Sequence, residues 1–69
     1  MIIIYNKLTG EIYSFASGND QKMETMFPNN YEELKQIYGE VQIDAESVPE
    51  FYTLKLYKID INTKLLIKR

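Results

Sequence analysis

Cysteine and histidine are both missing from this 69-residue chain. Without cysteine no disulfide can staple the fold and no thiolate can act as a nucleophile. Without histidine the commonest general base is gone, and neither Ser-His-Asp nor Cys-His groupings nor the usual zinc ligand sets can be built. Glycine is scarce, and Gly10, Gly18 and Gly39 stand alone, so no glycine-rich phosphate loop exists. Long apolar runs are missing too. The longest, residues 1–5, is far short of the ~20 residues that span a bilayer, and no basic segment precedes it. The reading is no membrane span, no signal peptide and the cytoplasm as the default compartment.

What is present speaks for one folded domain. The apolar fraction is 45%, with six tyrosines and three phenylalanines, unlike a disordered tail. A chain this short removes only roughly 60% of its unfolded surface from water, so a single domain is all it can form. Its core or a partner must supply the stability. The net charge of −2 conceals a division. Asp20, Glu24, Glu32, Glu33, Glu40, Asp44, Glu46 and Glu50 face only Lys22 and Lys35 over residues 20–50, a balance of −6. Residues 51–69 set Lys55, Lys58, Lys64, Lys68 and Arg69 against Asp60, a balance of +4. Attraction between the two segments within one fold is expected.

Along the chain, Met1-Ile2-Ile3-Ile4-Tyr5 is β-branched and aromatic, apolar on both faces, and is predicted to be an interior strand. Asn6-Lys7-Leu8-Thr9-Gly10 follows as a turn, with Gly10 in the positive-φ position of a type I turn plus bulge. Residues 11–15 return antiparallel, with Glu11, Tyr13 and Phe15 on one face and Ile12, Ser14 and Ala16 on the other. Met23, Met26 and Phe27 predict one or two helical turns ended by Pro28. Asn30, with Glu33 three residues on, reads as a cap for an amphipathic helix over 31–38, stopped by Gly39. Residues 40–44 alternate as a short strand and 45–50 read as loop. Residues 51–61 carry the longest strand signal, with a phase change at Leu56-Tyr57 that predicts a bulge. Asp60-Ile61-Asn62-Thr63-Lys64 then repeats the turn chemistry of residues 6–10 before Leu65-Leu66-Ile67.

Chemistry-bearing groups are few. Glu32 and Glu33, or Glu46 and Glu50, could pair as acid and base, but so small a fold seldom encloses the cleft that raises a carboxylate pKa. Asp44, Glu46 and Glu50 lack the central glycine and closing glutamate spacing of a calcium loop. No enzyme, metal or cofactor role is expected. The candidate nucleic-acid surface is Tyr52, Lys55, Tyr57, Lys58, Lys64, Lys68 and Arg69, where cations for phosphate alternate with rings for bases. Against it stand a pI near 5.0 and a single arginine; the competing reading is a lysine-decorated strand protected from edge pairing. Six tyrosines with Met23, Met26 and Phe27 exceed what one small core encloses, which points to a protein partner or a homo-oligomer.

The hairpin around Asn6-Lys7-Leu8-Thr9-Gly10-Glu11-Ile12, together with Val48-Pro49-Glu50 and Tyr57-Lys58-Ile59-Asp60-Ile61-Asn62-Thr63-Lys64-Leu65, resembles short accessory proteins of bacteriophages and prophages. The resemblance spans about half of the chain and implies a non-enzymatic accessory or structural role. Lys64 departs from it, standing where such turns usually carry glycine. The fold expected is α+β: two terminal β-hairpins in one mainly antiparallel sheet, with one amphipathic helix packed on a face.

Overall fold

The computed structural model describes residues 1–17, 20–44 and 51–69, with the backbone alone for 51–53. Strand β1 (Ile2–Asn6) pairs antiparallel on one side with β2 (Ile12–Ala16) and on the other with β3 (Tyr38–Gln42), giving the order β2-β1-β3. Two one-turn helices, α1 (Met23–Met26) and α2 (Tyr31–Leu34), lie between β2 and β3 in sequence. A 3-10 helix (Phe51–Leu56) leads into β4 (Tyr57–Ile59), which pairs antiparallel with β5 (Leu66–Lys68) in a separate two-stranded sheet.

The apolar first strand is interior, as its composition requires. Ile2, Ile3 and Ile4 have no exposed surface, a burial worth roughly 1.5–3 kcal/mol for each side chain. Because strand side chains alternate, β1 feeds two cores. Met1, Ile3 and Tyr5 join Leu54 and Ile59, with Ile12, Val41, Ile43 and Leu66 packed around them. Ile2 and Ile4 join Met23, with Ala16, Met26, Phe27, Tyr31, Leu34 and Tyr38 around them. The helical segment therefore covers one face of the three-stranded sheet and the C-terminal hairpin covers the other. The ladder runs on past β1, where the Met1 ammonium donates to the Ile43 carbonyl at 3.0 Å and the Ile43 N–H donates to the Met1 carbonyl at 2.8 Å.

Four expectations are corrected. The terminal hairpins occupy two sheets, not one. The amphipathic helix over 31–38 is only Tyr31–Leu34: the Gln36 and Ile37 N–H groups tighten to carbonyls three residues back, and Tyr38 is already in β3 opposite Asn6. The cause is β1, a buried strand whose second edge needs a hydrogen-bonding partner. Asn30 sits at the N-cap position without a side-chain cap bond, and Gly39 lies in β3, where a Cβ would come within 2.9 Å of the Tyr5 ring. The long strand over 51–61 is a 3-10 helix followed by three strand residues, so the phase change at Leu56-Tyr57 marks a change of element rather than a bulge. A bulge occurs instead in β2: Tyr5 opposes Ile12 while Ile4 opposes Ser14, skipping Tyr13. That extra residue sends Ile12 to one core and Ala16 to the other, although alternation had put them on one face. The expected loop over 45–50 lies outside the described residues.

The two turns are built alike. The Asn6 Oδ1 accepts the Leu8 and Thr9 N–H groups, Gly10 N–H donates to the Asn6 carbonyl, and the Thr9 hydroxyl accepts from Glu11 N–H. The Asp60 Oδ1 accepts Asn62 and Thr63, Lys64 N–H donates to the Asp60 carbonyl, and the Thr63 hydroxyl accepts from Leu65 N–H. Gly10 has φ +80 and Lys64 φ +64, both left-handed. For lysine that conformation costs about 1–2 kcal/mol. Its ammonium lies 5.5 Å from the Tyr5 ring centroid, which offsets about 0.5–1 kcal/mol of that cost.

Two predictions test this scaffold. The Gly10 carbonyl accepts the Ile59 N–H at 2.8 Å, and a Cβ on Gly10 would meet the Ile59 carbonyl oxygen at 2.0 Å. Gly10→Ala is expected to cost at least about 2 kcal/mol in urea denaturation, from strain and clash together; a neutral result would contradict the close approach. The Asp60 carboxyl is held below its ordinary range chiefly by the Asn62 N–H, with help from Thr63 and Lys58 and against partial desolvation. Its folded pKa is thus below the unfolded one, so its stabilisation is complete above the unfolded value and disappears as pH falls through the folded one. Asp60→Asn keeps the acceptor oxygen, as Asn6 does. Its urea midpoint is expected to fall less steeply than the parent's below about pH 4, and parallel acid limbs would count against the assignment.

Candidate functional site

Two open depressions flank the C-terminal hairpin. The larger, of about 640 Å³, runs between β2 and the 3-10 helix, β4 and the C-terminal arginine. Ile12, Tyr13, Ser14 and Phe15 line one wall; Leu54, Lys55, Tyr57 and Arg69 line the other. The smaller, of about 340 Å³, lies between the two turns, where Leu8, Ile61 and Ile67 surround Lys58 and Asp60.

The groove is formed by a backbone approach that then diverges. At one end the Ile59–Gly10 hydrogen bond joins β4 to the first turn. Beyond it, β2 and residues Lys55 and Tyr57 border the hollow from its two sides. Arg69 closes the rim: its N–H donates to the Leu56 carbonyl at 3.0 Å, and its Nη2 donates to the Glu11 Oε1 at 2.7 Å. The C-terminal arginine therefore pairs with a carboxylate of the first hairpin; Glu46 and Glu50 of the acidic middle lie outside the described residues. On the opposite face of the sheet, Tyr13 stacks on Tyr38 at 4.3 Å between centroids and lies 6.1 Å from Phe27.

Six of the seven residues of the candidate nucleic-acid surface have described side chains, and these six do not form one patch. Lys55, Tyr57 and Arg69 share the groove, and Lys68 opposes Tyr57 in the β4–β5 ladder. Lys58 opposes Ile67 on the other face of that ladder and borders the smaller hollow. Lys64 is at the turn above Tyr5. The Tyr52 side chain lies outside the described residues. Lys55 and Lys58 line different hollows. Sequence reasoning missed the contribution of β2, because the groove depends on how the two hairpins dock rather than on any local motif.

Among the described residues no group of three or more carboxylates converges on a point that could hold a metal ion, and no helix is long and apolar enough to cross a membrane. Glu46 and Glu50, from the carboxylate pairings considered above, lie outside the described residues. Compared with family models, curated proteins and solved structures, the chain matches none.

The Glu11–Arg69 pair is half exposed on both sides, so it contributes little. Glu11→Gln is expected to lower stability by under about 1 kcal/mol at low salt and by still less at high salt. A larger loss in urea titrations would make the pair a structural clamp on the C-terminus.

Proposed function

We propose that this chain is a small, non-enzymatic protein-interaction or assembly module of the cytoplasm, of the kind its bacteriophage-like hairpins suggest. The observation that carries the reading is the apolar surface left outside both cores. Leu8 is 86% exposed and Leu65 61%, and Ile37 and Leu56 are each about half exposed. Leu8, Ile61 and Ile67 border one hollow between the turns. Turn positions such as Leu8 select polar residues when folding alone is at stake, and clustered aliphatic exposure marks contact surfaces. Self-association through this hollow is the simplest form of the reading.

Leu8→Ser and Ile67→Ser together test it. Folding stability is expected to change by under about 1 kcal/mol, as for surface substitutions, while concentration-dependent mass in sedimentation equilibrium is lost. A parent protein that stays monomeric when concentrated removes self-association and leaves a second protein as the partner. If the double variant unfolds, these side chains serve the fold and the reading loses its basis.

A second reading, nucleic-acid binding, is favoured by the meeting of Lys55, Tyr57 and Arg69 in one groove. It is weakened by the engagement of Arg69 with Glu11. Fluorescence anisotropy with a single-stranded oligonucleotide is the check: two to three phosphate contacts give a log–log salt slope of about −2, and a flat or absent response rejects it.

A further inference from the structure

Strand β5 has one edge in the ladder with β4 and one outside it. In an antiparallel pair, residues that exchange hydrogen bonds across the ladder alternate with residues whose main-chain groups point away. The Asp60 N–H donates to the Leu65 carbonyl and the Arg69 N–H to the Leu56 carbonyl. Lys58 and Ile67 are therefore the bonded pair between them, and the N–H and C=O groups of Leu66 and Lys68 point outward. On the far side of β4 the matching position is used, since the Ile59 N–H donates to the Gly10 carbonyl at 2.8 Å. Along β3 the Glu40 carboxylate accepts the Met23 N–H at 2.9 Å and the Gln42 amide donates to the Gln21 carbonyl at 3.1 Å, tying residues 21–23 over that side. Among the described residues, nothing bonds the outward groups of Leu66 and Lys68.

We propose that the β5 edge pairs with the same edge of a second copy of this chain, antiparallel, about a two-fold axis at Ile67. This rests on the self-association reading above and gives it a geometry. The axis sets Leu66 opposite the second copy's Lys68 and Lys68 opposite its Leu66, so the outward groups of both copies are satisfied by four main-chain hydrogen bonds. Charge selects this register. Sliding by two residues one way sets Lys68 against Lys68, and sliding the other way sets Lys68 against Lys64, and like charges directly opposite are destabilising. A one-residue slide faces outward groups with inward ones. Ile67 then meets its own counterpart at a non-hydrogen-bonded position, where Cα atoms are about 4.5 Å apart and side chains are closest. Ile67 lines the smaller hollow with Leu8 and Ile61, so the apolar rims of two hollows meet on one face of the joined sheet. A second copy thus matches this short edge group for group and covers the exposed aliphatic surface of both chains at once.

The test uses the absence of cysteine from the chain. Ile67→Cys places two thiols at the axis, within disulfide reach, and is expected to give a cross-linked dimer under mild oxidation. Leu65→Cys is the control: Leu65 is more exposed than Ile67, but in this register the two copies of it lie about 13 Å apart, and it stays monomeric. Lys68→Pro removes two of the four bonds and leaves the β4 ladder whole, because the Lys68 N–H points away from β4. Its dimer dissociation constant in sedimentation equilibrium is expected to rise at least about tenfold, while Lys68→Gln associates at least as tightly as the parent. Equal cross-linking at positions 65 and 67 overturns the proposal, as does a Lys68→Pro chain that folds and dimerises like the parent. If Lys68→Pro unfolds, the two cysteine variants decide alone. A parent that is monomeric when concentrated overturns the proposal and leaves a second protein as the partner. Dimers that survive Lys68→Pro but are lost in the Leu8 and Ile67 double variant overturn the strand pairing and keep association through the hollow, so the two readings fail separately.

Discussion

The structure depends on one strand with no polar face. Ile2, Ile3 and Ile4 cannot alternate between core and water, so β1 must be covered twice, and a chain of 69 residues has material for little else. One cover is the helical segment, through Met23, Phe27 and Tyr31; the other is the C-terminal hairpin, through Leu54, Ile59 and Leu66. A strand buried on both faces must also satisfy its backbone on both edges, which is why Tyr38–Gln42 is drawn from a would-be helix into the ladder. The layered arrangement follows from that demand without a disulfide or a large core.

Joining the two sheets falls to two turns of the same chemistry. In each, an Asn or Asp side chain gathers two backbone N–H groups and a threonine hydroxyl takes a third. The first turn uses glycine at its left-handed position, because the Ile59 carbonyl presses against it. The second turn carries lysine at that position, with its ammonium over Tyr5. Tyr5 thus touches both halves of the molecule, with Gly39 beneath its ring.

Much of this was legible in the chain itself. The interior strand, both turns, the positive φ of Gly10 and the helical turn at Met23 came from patterns confined to a few residues. What the pattern misplaced was decided by distant contacts. Tyr38 and Gly39 carry helix-ending signals but are claimed by β1. Residues 51–56 alternate like a strand yet wind as a 3-10 helix, which buries Leu54 and brings Tyr57, three residues on, to the groove. The β2 bulge left no sign in composition, and with it went the facing of Ile12, Tyr13 and Phe15. The groove was invisible for the same reason: its two walls are some forty residues apart along the chain and meet through the Gly10–Ile59 and Glu11–Arg69 contacts. Charge sums did not single out the pairing of Arg69 with Glu11, a residue of the first hairpin.

So small a fold has spent its best apolar residues on β1 and leaves others outside. The exposed leucines and isoleucines are consequences of that allocation. The central claim is that β1 is the last element to open. Native-state hydrogen exchange measures it directly: the Ile3 and Ile4 amides should exchange only through global unfolding, with a denaturant dependence equal to that of the whole domain. Exchange of those amides by local opening, as easily as the amides of the Asp60 turn, would contradict it.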